Sequence, residues 1–364
     1  MSYRNLFSIP EGTVYLNNAA GSPLNTPAQR ALEDYLVLAS EAPHNKPSVR
    51  ETVREALVEL FGGHSSDYAL VTSTGLGIGM VAAGYDWKSG DNVVLPADEH
   101  WNSTFPWLAL QDRGVEVRLI SPDDSGRVSI EEIASSIDQN TRIVSVNAVR
   151  FDNGFRLGLR KLGEIVHARN ALLVVDGTQA AGAVPINVID DGIDVLCCAG
   201  FKWLLGMSGT GFLYVNSHAR EKIRPVLPGM FAAEHNMREI NFHDDARQYE
   251  TGSIAYSLFH AWISGLRVLE EIGIENIATR NTELTDQIIS GLDAKGMTVI
   301  SPVEFDEERS AIVVFTTGCP DANKTLVDKL LENNIVVSLR GGCIRVSPNF
   351  YNTTSDVDKF LKML

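Results

Sequence analysis

Cysteine is scarce in this chain, with four in 364 residues: Cys197, Cys198, Cys319 and Cys343. They form no CxxC pair and no His/Cys spacing of the zinc type, so no disulfide framework and no metal site is expected. Cys197 and Cys198 are neighbours in a strand-like run, which sends their side chains to opposite faces. Long apolar runs are missing as well. None reaches the ~18 residues that span a bilayer, and the opening MSYRNLFSIPEG lacks the apolar stretch of a secretory signal. Basic residues are in deficit, 31 Lys and Arg against 46 Asp and Glu, for a formal net charge of -15. Such a surface repels nucleic acid and anionic membranes. It leaves room for a locally positive pocket. There is no repeat and no low-complexity tract. The expectation is a cytoplasmic, reduced, soluble protein with neither nucleic acid nor membrane as partner.

What is present is ample core material: 44% of residues are hydrophobic and 21% charged. That suggests an ordered chain of two domains. Strand-like and helix-like segments alternate, the pattern of an α/β domain with a mostly parallel sheet. Expected strands are YALVTS (68–73), NVVLP (92–96), VEVRLI (115–120), RIVSVNAV (142–149), ALLVVD (171–176), DVLCCAG (194–200) and GFLYV (211–215). Helical patterns lie between them, among them 47–62 and 159–170. Beyond about residue 250 the rhythm changes to two long helical patterns, two short strands (311–317 and 334–340) and a closing helix (355–364). This reads as an arm over 1–14, a large domain over 15–250 and a smaller α+β domain over 251–364.

Ligands of open α/β sheets bind at the carboxyl ends of the strands, so strand ends are the informative positions. ALLVVD ends in Asp176, which could cap a helix or hold a protonated ring nitrogen. DVLCCAG runs into Lys202, which could be a turn lysine in water or a partly desolvated amine able to form a Schiff base. Gln179 follows Asp176 in DGTQAAG and could face the same cleft. VTSTGLGIG suggests a strand, a tight turn and a helix start whose free N–H groups suit a phosphate. Its glycines lack the GxGxxG spacing of a dinucleotide fingerprint. EHWNSTFPW offers His100 and Trp101, either of which could stack on a planar ring.

Taken together, VVDGTQAAGAVPINVIDDGIDVLCCAGFKWLLGMSGTGFLYV strongly resembles the cofactor-lysine region of class V aminotransferases. That pyridoxal 5'-phosphate (PLP) group includes the cysteine desulfurases. TVYLNNAAGSPL, EHWNSTFPW, YETGSIAY and IRVSPNFYNTTSDVDKFL resemble four further family segments in family order. The resemblance implies fold type I: a large domain with a mostly parallel mixed sheet and a smaller C-terminal α+β domain. It implies that Lys202 binds PLP as a Schiff base and takes the Cα proton, and that Asp176 pairs with the ring nitrogen. Gln179 would bond the phenolic oxygen. His100 would stack on the ring, with Trp101 as the other candidate. Thr74, Gly75 and Leu76 would form the phosphate turn. Ser253 would reach the phosphate of a partner subunit, which implies a homodimer with shared active sites. Arg345 would grip the substrate carboxylate, with Arg340 a second candidate. One of Arg150, Asp152 and Asn153 would face the cofactor.

The chain departs from the desulfurase pattern. Ala199 and Phe201 stand where desulfurases carry serine and histidine. No loop between VVSLRGG and IRVSPNF has room for a mobile nucleophile, so Cys343 is not expected to carry a persulfide. The expected activity is PLP-dependent chemistry on an amino acid through Cα-proton abstraction, aminotransferase-like. A Cβ (C–S) lyase, an amino-acid epimerase and an inactive scaffold of the same fold are the alternatives.

Overall fold

The computed structural model describes residues 3–44, 48–234 and 238–364. The first two residues of the expected arm lie outside the described residues. The N-terminal half contains β1 (Val14–Tyr15), α1 (Thr26–Glu41), α2 (Val49–Phe61), β2 (Tyr68–Leu70), α3 (Thr74–Gly84), β3 (Asn92–Pro96), α4 (Trp101–Leu108), β4 (Glu116–Ile120), α5 (Ile130–Ser136) and β5 (Thr141–Asn147). The chain continues through α6 (Leu159–His167), β6 (Leu172–Asp176), β7 (Val195–Ala199), β8 (Gly211–Val215), α7 (Ser217–Arg220), α8 (Tyr256–Ile272) and α9 (Ile274–Asp293). It closes with β9 (Thr298–Val299), β10 (Val313–Thr316), α10 (Pro320–Glu332), β11 (Ile335–Val336), β12 (Ser338–Arg340), β13 (Cys343–Val346) and α11 (Thr354–Met363).

Seven strands form the central sheet in the order β2-β8-β7-β6-β5-β3-β4. Only β8 runs antiparallel to its neighbours, so the sheet is mixed and mostly parallel, as expected. Its inner strands β5, β6, β7 and β8 are buried on both faces because helices cover both, whereas the edge strand β4 is largely open. The pleat sorts them: Val195, Cys197, Leu172 and Val174 join one core cluster, while Leu196, Cys198, Leu173 and Val175 join the other. The two adjacent cysteines do point to opposite faces.

A second sheet, β12-β13-β10-β9, belongs to the C-terminal unit. Its core holds Phe315, Leu330, Ile344 and Phe360, with Leu284, Ile288 and Leu292 from α9. Two features differ from the sequence reading. The run at 334–340 is two strands, since β11 pairs in parallel with β1 while β12 pairs with β13. Val14 and Leu16 consequently lie in the C-terminal core. Packing also changes later than residue 250. Phe259, Trp262, Leu266 and Leu269 of α8 share the larger core, where α8 lies on α1 and α2. The change in rhythm marked where α8 begins; which core it joins depends on its long-range partners. Among the described residues no helix is long and apolar enough to cross a membrane.

Candidate active site

Asp176 closes β6, flanked in register by Asn147 on β5 and Cys197 on β7. The strands on both sides exclude water, and the carboxylate is buried. Two donors satisfy it: Ser103 Oγ–H to Oδ2 at 2.6 Å and the Thr178 N–H to Oδ1 at 2.9 Å. Ser103 is brought there by the first turn of α4, capped by His100. Thr178 ties neighbouring elements together. Its Oγ1 lies 2.7 Å from Thr74 Oγ1 and accepts the Ala199 N–H at 3.2 Å.

Lys202 leaves β7 on a tight turn. Gly206 is required there, because a Cβ would come within 2.6 Å of Trp262 Cδ1 and 2.8 Å of Thr210 Oγ1. Burial lowers the Lys202 ammonium to about 8; Asp176 opposes that shift, and Arg345 and Arg340 add to it. Burial in apolar surroundings disfavours the charged form, and two nearby cations disfavour it further. Trp203, next in the chain, donates from Nε1 to Gln179 Oε1 at 3.0 Å, and Gln179 Nε2 donates to the Ala19 carbonyl at 3.0 Å. The second Nε2 hydrogen is left over.

One depression is lined by Thr74, His100, Asn147, Asp176, Gln179 and Lys202, with Phe151 and Phe201 as apolar walls. It is small, about 90 Å³. Larger ones, of about 430 and 580 Å³ beside Arg156 and Arg160, hold no amine facing a buried carboxylate. The half-buried His100 ring meets Phe151 edge-on, with centroids 5.3 Å apart at 86°. Burial, and after it Lys202, lowers its basicity, which favours a neutral imidazole. Trp101 is 63% exposed and does not line the depression. Thr74 and Gly75 open α3, whose N-cap Ser73 accepts the Leu76 N–H at 3.2 Å. The Leu76 N–H is thus already used.

Arg345 is buried, and its Nη1 donates to the Phe151 carbonyl at 2.8 Å, while Nε and Nη2 have no partner. Arg340 is exposed at the tip of the β12–β13 hairpin. Ser253 is exposed and away from the depression. Its segment is anchored by the buried Glu250, which pairs with Arg50 and Arg54 and accepts the Leu70 N–H, while Arg50 also donates to the Gly252 carbonyl.

Arg150, Asp152 and Asn153, the alternatives for a residue facing the cofactor, do not line the depression. Arg150 Nη2 pairs with Asp152 at 2.7 Å, and Asn153 Nδ2 bonds the Gly126 carbonyl. Asn147 and Phe151 line it instead. β5 stops at Asn147, two residues short of the run expected from sequence, and Gly154 turns the chain at φ +79. The Asn147 Oδ1 is buried without a partner. Beneath this turn Glu99 is buried, with Oε1 3.4 Å from Arg150 Nη1 and Oε2 unpartnered. Its carboxyl is pushed up to about 8 by burial, against Arg150 and assisted by Asp152. Ser103, Thr178 and Asn147 were missed from sequence. Asn147 and Ser103 sit inside segments already singled out, and only the strand-end rule applied at the right residue would have found Asn147. Among the described residues no group of His, Cys, Asp and Glu could hold a metal ion.

The donors suit PLP. A buried carboxylate suits a protonated pyridine nitrogen, an amine of lowered basicity suits an aldehyde, and an uncharged helix start suits a phosphate. The orphaned Asn147 amide needs a polar partner that the protein does not supply. The aminotransferase class-V family model matches residues 14–360. An uncharacterized protein of Schizosaccharomyces pombe is 28% identical over 375 residues, covering 100% of this chain and 86% of that protein. A probable cysteine desulfurase of Methanothermobacter thermautotrophicus is 24% identical, covering 94% and 92%. The apo structure of a cysteine desulfurase from Thermococcus onnurineus NA1 superposes with a TM-score of 0.88 at 22% identity, covering 96% of this chain and 93% of that one.

Proposed function

Because the chain belongs to the aminotransferase class-V family, we propose that it is a PLP-dependent enzyme of amino-acid metabolism, aminotransferase-like, that breaks the Cα–H bond of its substrate. The observation that carries this reading is the pairing in one depression of the Lys202 amine, lowered to about 8, with the Asp176 carboxylate held by Ser103 and Thr178.

Lys202 would hold the cofactor at its aldehyde, and its amine, of lowered basicity, is the base placed to accept the Cα proton. When bound, PLP supplies an electron sink for the resulting carbanion charge. Asp176 would keep a proton on the pyridine nitrogen. The geometry favours His100 over Trp101 for the ring face. Gln179 has one amide hydrogen to give to the phenolic oxygen, and Asn147 is the better-placed neighbour than Arg150, Asp152 or Asn153. The N–H groups of Thr74 and Gly75, at the start of α3, would hold the phosphate, while Leu76 contributes packing. Arg345 presents two unpartnered nitrogens to the substrate carboxylate, a pairing suited to a guanidinium.

Ser253 fits a role at a partner's phosphate, since it is exposed and its segment is rigidly anchored. Exposed Trp101, Phe105, Met230 and Ile240 are apolar surface of the kind a second copy would cover. The proposed state is a homodimer with shared active sites.

A Cβ (C–S) lyase or an epimerase would use the same first step. Cys343 lies within strand β13 next to a two-residue turn, which argues against a mobile persulfide carrier. The test is to load the protein with PLP, reduce with borohydride and map the modified peptide. The label is expected on Lys202. A label elsewhere, or none, overturns the reading, and PLP retained without turnover identifies an inactive scaffold. Product analysis then divides the reactions. A keto acid with aminated cofactor marks transfer, pyruvate with ammonia and a thiol marks elimination, and the opposite enantiomer marks epimerisation.

A further inference from the structure

The β12–β13 hairpin carries a pattern that one substrate carboxylate does not account for. Its register pairs Ser338 with Arg345, Leu339 with Ile344 and Arg340 with Cys343. Side chains alternate between the two faces of a strand. Leu339 and Ile344 turn into the C-terminal core. Ser338, Arg340, Cys343 and Arg345 therefore share the opposite face, toward the large domain. Arg340 and Arg345 are diagonal neighbours on that face, roughly 7–8 Å apart at the backbone. Two like charges at that spacing repel unless anions neutralise them.

No such anion comes from the described residues, where neither arginine has an acid within ion-pair distance. Arg345 is 1% exposed, and its Nε and Nη2 are buried and unpartnered, as is Ser338 Oγ. Buried donors left unmade are costly. Burial, and after it Arg340, lowers the Arg345 guanidinium to about 10, while Asp152 opposes the shift. Arg340 instead lines a wide cavity of about 690 Å³, with Cys343, Val314, Ser301, Asp152 and Asn153. The acids on that wall are largely engaged: Asp152 by Arg150, Glu304 by Arg127, and Asp123 by the N–H groups of Ser125 and Arg127. Asp124 is exposed to water. The two arginines thus occupy different settings, one dry and narrow beside Lys202, the other wet and roomy.

We propose that the substrate is an α-amino acid with a second carboxylate on its side chain, Arg345 binding the α-carboxylate and Arg340 the distal one in the interdomain cavity. This deepens the function proposed above and rests on it for the α-carboxylate. The buried, desolvated site holds the end common to all amino acids. The solvated Arg340 selects among side chains, and the cavity accommodates their length.

The test compares an acid with its isosteric amide. PLP-loaded wild type and Arg340→Gln protein are titrated with L-glutamate and L-glutamine, and with L-aspartate and L-asparagine, following cofactor absorption. Wild type is expected to bind at least one acid about tenfold or more tighter than its amide, the scale of a charge-assisted contact. Arg340→Gln should abolish that ratio while amide binding stays within about twofold. Equal affinity for acid and amide in wild type, or a preference that survives in Arg340→Gln, overturns the proposal. A calorimetric titration of glutarate against glutaramate uses the same proteins and does not depend on the cofactor. If PLP fails to load, the functional reading falls, and the glutarate comparison alone decides this one. If PLP loads and amino acids bind without preference, the functional reading stands and the second-carboxylate site is refuted.

Discussion

The lowered basicity of Lys202 gives a quantitative expectation for cofactor loading. Only the neutral amine attacks an aldehyde. An ordinary lysine at 10.5 would be neutral in about one part in a thousand at pH 7.5, whereas a group at about 8 is neutral in about a quarter of molecules. The buried environment therefore raises the reactive fraction by about two hundredfold. Because the folded value is depressed, the neutral fraction grows as pH rises through 8 and levels off above it. The assay is the second-order rate of PLP incorporation into apoprotein between pH 6.5 and 10, divided by the rate with a free lysine derivative under identical conditions. That division removes the titrations of PLP itself. The ratio should be large near pH 7.5 and fall to a few-fold by pH 10, where the buried amine is almost fully neutral and an ordinary one at 10.5 is neutral in about a quarter of molecules. Asp176→Asn removes the nearby charge that favours the ammonium, so its midpoint should move below 8 even as its cofactor affinity drops. A ratio that is flat with pH, or a midpoint near 10, would mean that Lys202 is hydrated and the argument from burial is wrong.

Four further outcomes follow from the same geometry. Ser103→Ala deletes the 2.6 Å bond to Asp176 and should weaken PLP binding by roughly tenfold, as loss of a bond to a charged acceptor does; unchanged affinity would remove Ser103 from the site. Asn147→Ala removes a buried amide oxygen that has no partner, so apoprotein thermal stability should hold or rise while PLP affinity falls, and a fall in both would point to a structural role. Glu99 carries its proton up to about 8 in the folded state against 4.5 as an ordinary carboxyl. Unfolding therefore releases a proton between those values, and Glu99 should contribute a decline in stability of about 1.4 kcal/mol per pH unit over that window; Glu99→Gln should remove that contribution, visible as a shallower fall of melting temperature with pH. Ser253→Ala should loosen PLP without changing the melting temperature of the apoprotein, and mixing it with Lys202→Ala subunits should restore one fully formed site per dimer if Ser253 acts across the interface.

Much of the site was legible because strand ends are local features. Asp176 and Lys202 stand at the ends of apolar runs whose identity needs no knowledge of neighbours, and Thr74 opens a helix whose cap is two letters of sequence. His100 and Trp101 could not be separated as stacking candidates, since adjacent residues at a helix start differ only in which way the chain enters; only His100 lines the depression. Asn147 was lost because a run such as SVNAV does not announce where pairing stops. The strand ends where its β6 partner ends, and that is a property of two strands.

Sequence alone determined the alternation of elements, the opposed faces of Cys197 and Cys198, and a lysine and a carboxylate each at a strand end, because periodicity and polarity are written residue by residue. Tertiary structure alone decided that Ser103 supports Asp176 from 73 residues away and that β1 completes the C-terminal unit. It also decided that Arg340 and Arg345 share one face of a hairpin. Each of these is a matter of register or crossing between distant segments, set by which apolar faces bury one another, and no single stretch of chain contains that information.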